Sequence, residues 1–318
     1  MRAVLTTAAG DPPRVEDIPA PAPGPGQSLV RLRAAGLNPV DLAIAAGRFY
    51  MPVPEPPRVA GAEAVGEVVQ SAAHAPGTVV WCLQPTGCFA ERFVVDDDAM
   101  VALPDGTDPV MAAALGIAGL AGWMPVRTRG ALAPGETLVV LGASGIVGQV
   151  AVQAGVLGQA GAVVAVGRSE RGLATARDLG ATDSVTLTED GDLTAALRRA
   201  CPGGIDVLVD TLWGPPLAAA IPVLGTGGRV VQVGSAAGPA ATIVAGPMRG
   251  GRNDIRGFSV FSEDRADVAA EYRALLAAAA AGSVRVDTRT VALEDAAEAF
   301  AAQGAGTDGV KLVLVPAA

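Results

Sequence analysis

Charge, aromatic rings and metal-binding side chains are all scarce in this chain of 318 residues, and each scarcity removes a class of function. Charged residues make up 17% and the net charge is −9, with no basic cluster, which excludes nucleic acid as a partner. Aromatic residues amount to 3%. There is one histidine, His74, in the turn-like SAAHAPG, and three cysteines, Cys82, Cys88 and Cys201, the last far from the others. A catalytic zinc site usually needs three protein ligands and a structural site four. Cys82-x₅-Cys88 does not fit a metal knuckle, so no metal is expected. The cysteines read instead as buried apolar residues and His74 as a solvated turn residue. The first residues, MRAVLTTAAGDPPRVED, lack the apolar stretch of a signal peptide, and the few cysteines suit a reducing compartment. The expectation is a globular cytoplasmic protein of about two domains, with no membrane partner.

What is abundant is glycine and alanine, and one run carries most of the information. Residues 137–167, TLVVLGASGIVGQVAVQAGVLGQAGAVVAVG, hold no Asp, Glu, Lys or Arg across 31 positions. Length and apolarity alone would suggest a membrane span. Seven glycines, three glutamines, a serine and a threonine argue against one. Residues 138–141 suit a strand buried on both faces. Gly142 to Gly148 then form a glycine turn, followed by a helical pattern to Leu157 and a second buried strand at 162–166. Strand, glycine turn, helix, strand is the phosphate-binding unit of a dinucleotide fold. Gly145 would let backbone approach a pyrophosphate, Gly148 would let the helix pack close to the strand, and the helix start would hold the anion. The first position of the fingerprint is Ala143 rather than glycine.

Elsewhere the chain divides by pattern. Residues 2–7 predict an opening strand, and six prolines within 11–27 predict an exposed arm. Short strands at 28–33, 64–69, 78–81 and 90–95, separated by Gly and Pro turns, predict a small β-barrel-like domain. Asp108-Pro109 should open a helix running towards Trp123. From Glu136 strands (137–141, 162–166, 183–187, 205–210, 229–233, about 255–261) alternate with helices such as 171–179 and 193–200, which predicts a parallel, doubly wound sheet. An alanine-rich helix at 264–281, a strand near 289–291, a helix at 293–303 and a strand at 310–315 complete the chain, without internal repeats.

Several segments together resemble the medium-chain dehydrogenase/reductase superfamily. They are AAGLNPVD near the start, VAGAEAVGEVV at 59–69, CFAERFVV at 88–95, ALAPGETLVVLGASGIVGQVAVQAGVLGQAG with the GRS and DLGATD that follow, and LEDAAEAFAAQ near the end. The A-x-G-x-x-G loop resembles the zinc-free, quinone oxidoreductase-like branch, which includes enoyl reductases. The resemblance implies a GroES-like β-barrel catalytic domain built from both chain ends, here 1–113 and 258–318. It implies a Rossmann NADP-binding domain at 114–257 between them, with the active site in the cleft. Where the zinc branch has a cysteine, this chain has Gly36-Leu37-Asn38.

The end of the second strand selects the cofactor. An NAD site usually places a carboxylate there to bind the ribose. Here Gly167 is followed by Arg168, Ser169, Glu170 and Arg171, and two guanidinium groups with a hydroxyl suit a 2′-phosphate. NADP(H) is the expected cofactor, with Glu170 as the one residue pointing the other way. The alternative for Arg168 and Arg171 is a solvated helix start. The expected cofactor contacts are Ala143, Ser144, Gly145, Ile146, Val147, Gly148, Gly167, Arg168, Ser169 and Arg171. The resemblance adds Thr211, Gly234, Ser235, Phe258 and Ser259, and Asn38 facing the nicotinamide.

The implied chemistry is hydride transfer from NADPH to a quinone or an α,β-unsaturated carbonyl, since no Lewis acid is expected to polarise a plain ketone. Catalytic candidates are Asn38, Asp41 and Tyr50. Asn38 reads equally as an Asn-Pro turn, Asp41 as a group that orders its loop, and Tyr50 as a proton donor, a gate or a loop anchor. Phe49 is an alternative aromatic for that position. Other outcomes on the same scaffold are an enoyl-thioester or enone reductase of a biosynthetic pathway, a cofactor-retaining isomerase or cyclase, and a non-catalytic NADPH-binding protein. The substrate is expected to be a small molecule, and the family implies a homodimer through the last Rossmann strand.

Overall fold

The structure, a computed structural model, describes residues 1–317 and falls into two compact units. The first comprises Met1–Ala118, Asp264–Leu276 and Asp287–Ala318, and the second Gly119–Glu263 with Ala277–Val286. These units break at 118/119 and 263/264, where the sequence reading set domain bounds at 113/114 and 257/258, and the second unit also includes Ala277–Val286. Gln153 accounts for the latter, because its side-chain amide donates to the Arg285 carbonyl at 2.9 Å and accepts from the Arg285 N–H at 2.8 Å, as a strand would.

In chain order the first unit opens with β1 (Arg2–Thr6), β2 (Arg14–Asp17), β3 (Gln27–Gly36), α1 (Pro39–Ala45) and β4 (Arg58–Val59). It continues through β5 (Glu63–Gln70), β6 (Val79–Leu83), β7 (Arg92–Asp96), β8 (Met100–Ala102) and α2 (Pro109–Leu115). The alternation of burial along β3 and β5 places Val30, Leu32, Ala64 and Val68 in one core, joined by Phe89, Phe93 and Phe300. Three corrections to the sequence reading arise here. The proline arm contains β2, paired antiparallel to β1. Asn38-Pro39 opens a helix rather than a simple turn, since proline at the first helical position needs no N–H partner. The helix capped by Asp108, whose carboxylate accepts the Val110 N–H at 3.0 Å, stops at Gly116 and restarts as α3 (Ile117–Met124).

The second unit is a six-stranded sheet of β9 (Thr137–Leu141), β10 (Ala162–Gly167), β11 (Asp183–Thr186), β12 (Ile205–Asp210), β13 (Leu224–Gln232) and β14 (Asp254–Gly257). All five pairings are parallel, in the order β11-β10-β9-β12-β13-β14. The order reverses between β9 and β12, where the carboxyl ends of strands in such sheets leave a binding crevice. Between the strands run α4 (Ile146–Leu157), α5 (Glu170–Asp178), α6 (Leu193–Ala200), α7 (Gly214–Ala220) and α8 (Ala245–Gly251). The chain ends with α9 (Arg265–Ala280), β15 (Asp287–Ala292), α10 (Ala296–Ala305) and β16 (Val310–Val315). In the first unit β15 pairs parallel to β16, which pairs antiparallel to β3. No single helix among the described residues is long and apolar enough to cross a membrane.

Candidate functional site

At the carboxyl end of β9 the chain turns through Gly142, whose φ is +86°. A Cβ there would stand 2.1 Å from Thr211 Oγ1, so glycine is required twice over. Gly142 makes the tight turn one residue ahead of Ala143, which explains how alanine stands in the first fingerprint position. Ala143 is fully buried, its N–H bonded to the Val166 carbonyl at 3.0 Å. Gly148 is forced by packing: a Cβ would lie 2.4 Å from the Gly142 carbonyl and 2.5 Å from Ala143 Cα. Gly145 is different. It is exposed, caps α4 with no side-chain bond, and a Cβ there would meet nothing nearer than the Gly142 carbonyl at 3.7 Å. The open side of Gly145, at the N-terminus of a 12-residue helix, fits the phosphates of a dinucleotide. Ser144, Ile146 and Val147 surround it half-buried.

The neighbouring strand ends converge on this loop. Gly167 is buried at the end of β10, and a Cβ on it would touch Ser144 Oγ at 3.5 Å. Thr211 donates its hydroxyl to the Leu141 carbonyl at 2.8 Å, and Gly234 passes so close to Thr211 that a Cβ would lie 2.7 Å from its carbonyl. Asp210 holds the turn after β12 by accepting the N–H groups of Leu212 and Trp213, each at 2.9 Å. Ser235 lies exposed beside the half-buried Gly234. Phe258, buried after β14, bonds through its N–H to Gln232 at 2.9 Å, and half-buried Ser259 follows it. All these residues lie in the second unit.

Arg168, Ser169 and Arg171 are exposed just past β10. Ser169 caps α5, its Oγ accepting the Gly172 N–H at 3.3 Å, which leaves its hydroxyl hydrogen for another acceptor. Glu170, the residue that could have favoured a free ribose, instead pairs with Arg177 at 2.7 Å, and Arg177 also donates to Ser184. The charge at this corner is therefore carried by Arg168 and Arg171.

The first unit treats its candidates differently. Asn38 is 1% exposed. Its amide nitrogen donates to the Gly36 carbonyl at 2.9 Å and to Glu63 Oε1 at 2.8 Å, and its oxygen accepts from Lys311 Nζ at 2.5 Å. Both amide hydrogens and the oxygen are thus engaged within the unit, by Gly36, Glu63 and Lys311. Asp41 is 3% exposed and accepts the N–H groups of Asn38 and Ala62, each at 2.8 Å. Burial, opposed by those two N–H bonds and by Lys311, pushes its carboxyl up to about 7. Its geometry is that of a loop-ordering group. Tyr50 is 65% exposed, its ring 4.7 Å from that of Phe49.

Two partners in this network are absent from the sequence reading: Glu63 and Lys311. Glu63 is fully buried and accepts from Asn38, from Trp81 Nε1 at 2.9 Å and from the Ile117 N–H at 2.7 Å, with Lys311 Nζ 3.7 Å away. Its carboxylate occupies space that Cβ atoms on Gly36 or Gly116 would need. The bond to Ile117 is what restarts the helix as α3. Burial raises the Glu63 carboxyl and lowers the Lys311 ammonium, each against the other's pull. Among the described residues no three His, Cys, Asp or Glu side chains converge to hold a metal ion. Cys82 and Cys88 lie in the core, where burial pushes both thiols up and keeps them protonated. The residues present do not fit a zinc ion.

Two family models match the chain: alcohol dehydrogenase GroES-like domain over residues 24–105 and zinc-binding dehydrogenase over 147–281. Bovine prostaglandin reductase-3 is 32% identical over 241 residues, covering 74% of this chain and 62% of that protein. The chain thus matches less than two thirds of the length of that relative. The quinone oxidoreductase of Lama guanicoe is 30% identical over 296 residues, 89% of this chain and 86% of that protein. Among solved structures, the quinone oxidoreductase of Thermus thermophilus, also described in complex with NADPH, superimposes with a TM-score of 0.81 at 25% identity, over 99% of this chain and 100% of that one. The GroES-like segment, the six-stranded Rossmann sheet and this near full-length match agree, and the chain belongs to the medium-chain dehydrogenase/reductase superfamily as a quinone oxidoreductase-like member.

Proposed function

We propose that this chain is an NADPH-dependent oxidoreductase that reduces a quinone or an α,β-unsaturated carbonyl without zinc. The observation that carries the reading is the dinucleotide corner: an open Gly145 at the start of α4, with Arg168 and Arg171 exposed beside it and Glu170 drawn off to Arg177. When bound, NADPH supplies a hydride at C4 of its nicotinamide. The chain's part is to hold the pyrophosphate on the amides of Gly145–Gly148 and the 2′-phosphate on Arg168, Ser169 and Arg171. Thr211, Gly234, Ser235, Phe258 and Ser259 are proposed to line the rest of the cofactor's path, and Tyr50 to donate a proton or to gate the acceptor. Among the described residues no three His, Cys, Asp or Glu side chains converge on a metal ion, which supports an acceptor that is already electron-poor.

The names of the relatives support both halves of the acceptor class, a quinone in one and a prostaglandin in the other. Location in the cytoplasm and pairing into a homodimer along the exposed edge of β14 complete the proposal. The test is NADPH oxidation by purified, chelator-treated protein, offered a quinone and an enone in parallel, with NADH as control. Chelator-insensitive turnover with NADPH is expected, and the faster acceptor selects between the two chemistries. Preference for NADH, or loss of activity on chelation, would reject the reading.

A further inference from the structure

The chain has 23 basic residues, of which 22 are arginine and one is lysine. That lysine is Lys311, 3% exposed. Where any cation suffices, this sequence uses arginine, so a lysine confined to the interior needs a steric reason. An ammonium is a compact donor of three hydrogens, whereas a guanidinium is a flat fork of five. Lys311 Nζ meets the Leu37 carbonyl at 2.9 Å and Asn38 Oδ1 at 2.5 Å, with Glu63 Oε1 at 3.7 Å. This oxygen cage satisfies an ammonium, and a guanidinium would need both more room and more acceptors.

The ammonium decides which way Asn38 points. With the Asn38 oxygen turned to Lys311, its amide hydrogens must face Gly36 and Glu63, as they do. Asn38 is the N-cap of α1, and the Asn38 N–H bonded to Asp41 completes the capping box. From α1 the chain runs directly into the segment that carries Phe49 and Tyr50. Arg58 closes that segment, donating to the Ile44 carbonyl at 2.6 Å and the Pro54 carbonyl at 2.7 Å. Bonds and then chain connection therefore lead from β16 through Asn38 and α1 to the segment that carries Tyr50, within the first unit.

We propose that Lys311 is a positioning residue whose compact ammonium, through Asn38 and α1, sets the Phe49–Tyr50 loop. Its effect on turnover rests on the role given to Tyr50 above, whereas its effect on α1 does not. The test compares Lys311→Met and Lys311→Arg with the unmodified chain by amide hydrogen exchange and steady-state kinetics. Both variants should speed exchange of the amides of residues 41–48 at least ~10-fold. Both should lower kcat about 10-fold while leaving the KM for NADPH, bound by the second unit, within about twofold. In Lys311→Ala, added n-propylammonium should restore part of the lost protection. Unchanged exchange in Lys311→Met, or full recovery by Lys311→Arg, would overturn the proposal. If Lys311→Met does not fold, Glu63→Gln/Lys311→Met removes both charges and is judged by the same two measurements. If the unmodified chain reduces neither acceptor, the proposed activity fails while the exchange data still decide the role of Lys311.

Discussion

The two units handle polar chemistry in opposite ways. The second unit offers backbone to the proposed phosphate: seven consecutive residues, Gly142 to Gly148, inside a stretch without one charged side chain. The first unit buries charge itself, bringing Asp41, Glu63 and Lys311 together with Asn38, Trp81 and the Ile117 N–H from five separate parts of the chain. A site made of local backbone tolerates little change in residue size but carries no desolvation cost of its own. A site made of remote side chains is held only while every partner is present. The comparison teaches that the first unit is fragile to loss of single groups, and the second to gain of single atoms.

That contrast can be broken most sharply at Lys311. Lys311→Met leaves Glu63 and Asn38 Oδ1 without their cation, and thermal or urea unfolding should show a loss of about 3–5 kcal/mol. Glu63→Gln/Lys311→Met should lose clearly less than the sum of the single variants, because neither charge is then stranded. Additivity would mean the groups do not act as a unit.

Asp41 gives a pH signature. Its folded-state carboxyl, raised to about 7 from the ordinary 3.8, keeps its proton over a range where the unfolded chain has lost it. The folded state then binds more protons, so stability from this group is greatest below pH ~4 and declines as pH rises to about 7, by up to ~4 kcal/mol. In Asp41→Asn the slope of unfolding free energy between pH 5 and 7 should flatten, whatever its absolute stability. An equally steep slope would place the titration elsewhere.

The glycine loop sharpens the other side of the comparison. Gly148→Ala drives a methyl into backbone at 2.4 Å and should cost about 1–3 kcal/mol of stability. Gly145→Ala, with nothing nearer than 3.7 Å, should leave the melting temperature alone and weaken NADPH binding, measured by titration calorimetry, about 10-fold. Equal thermal losses in the two variants would contradict the reading of Gly145 as the open wall. The smallest change concerns selectivity: Arg168→Glu should reduce NADPH affinity by about 1.5–3 kcal/mol while leaving NADH affinity nearly unchanged. A parallel loss of both would show that Arg168 serves the pyrophosphate or the helix instead.

Much of the second unit was legible in the sequence, strand by strand, because buried parallel strands are written as continuous apolar runs and their turns as glycines. Even its departure at Ala143 has a local cause, the positive φ of Gly142 one residue earlier. The break of the helix at Gly116 was not legible, since the carboxylate that accepts the Ile117 N–H comes from residue 63. Nor was the occupation of Asn38, whose partners are Glu63 and a lysine 273 positions away. One signal was nevertheless present: a single lysine among 23 basic residues marks a position where shape, not charge alone, is required.

By itself the sequence determined the family, the alternation that makes a doubly wound sheet, and the glycine loop that fits a dinucleotide, because each depends on neighbours within about ten residues. The tertiary structure alone decided that residues 277–286 join the second unit through Gln153, and that Asn38 serves Lys311 and Glu63. The reason is physical. Hydrophobic period and turn chemistry are set by the chain's local geometry, whereas a buried polar group must be satisfied by whatever donor or acceptor the completed fold brings beside it.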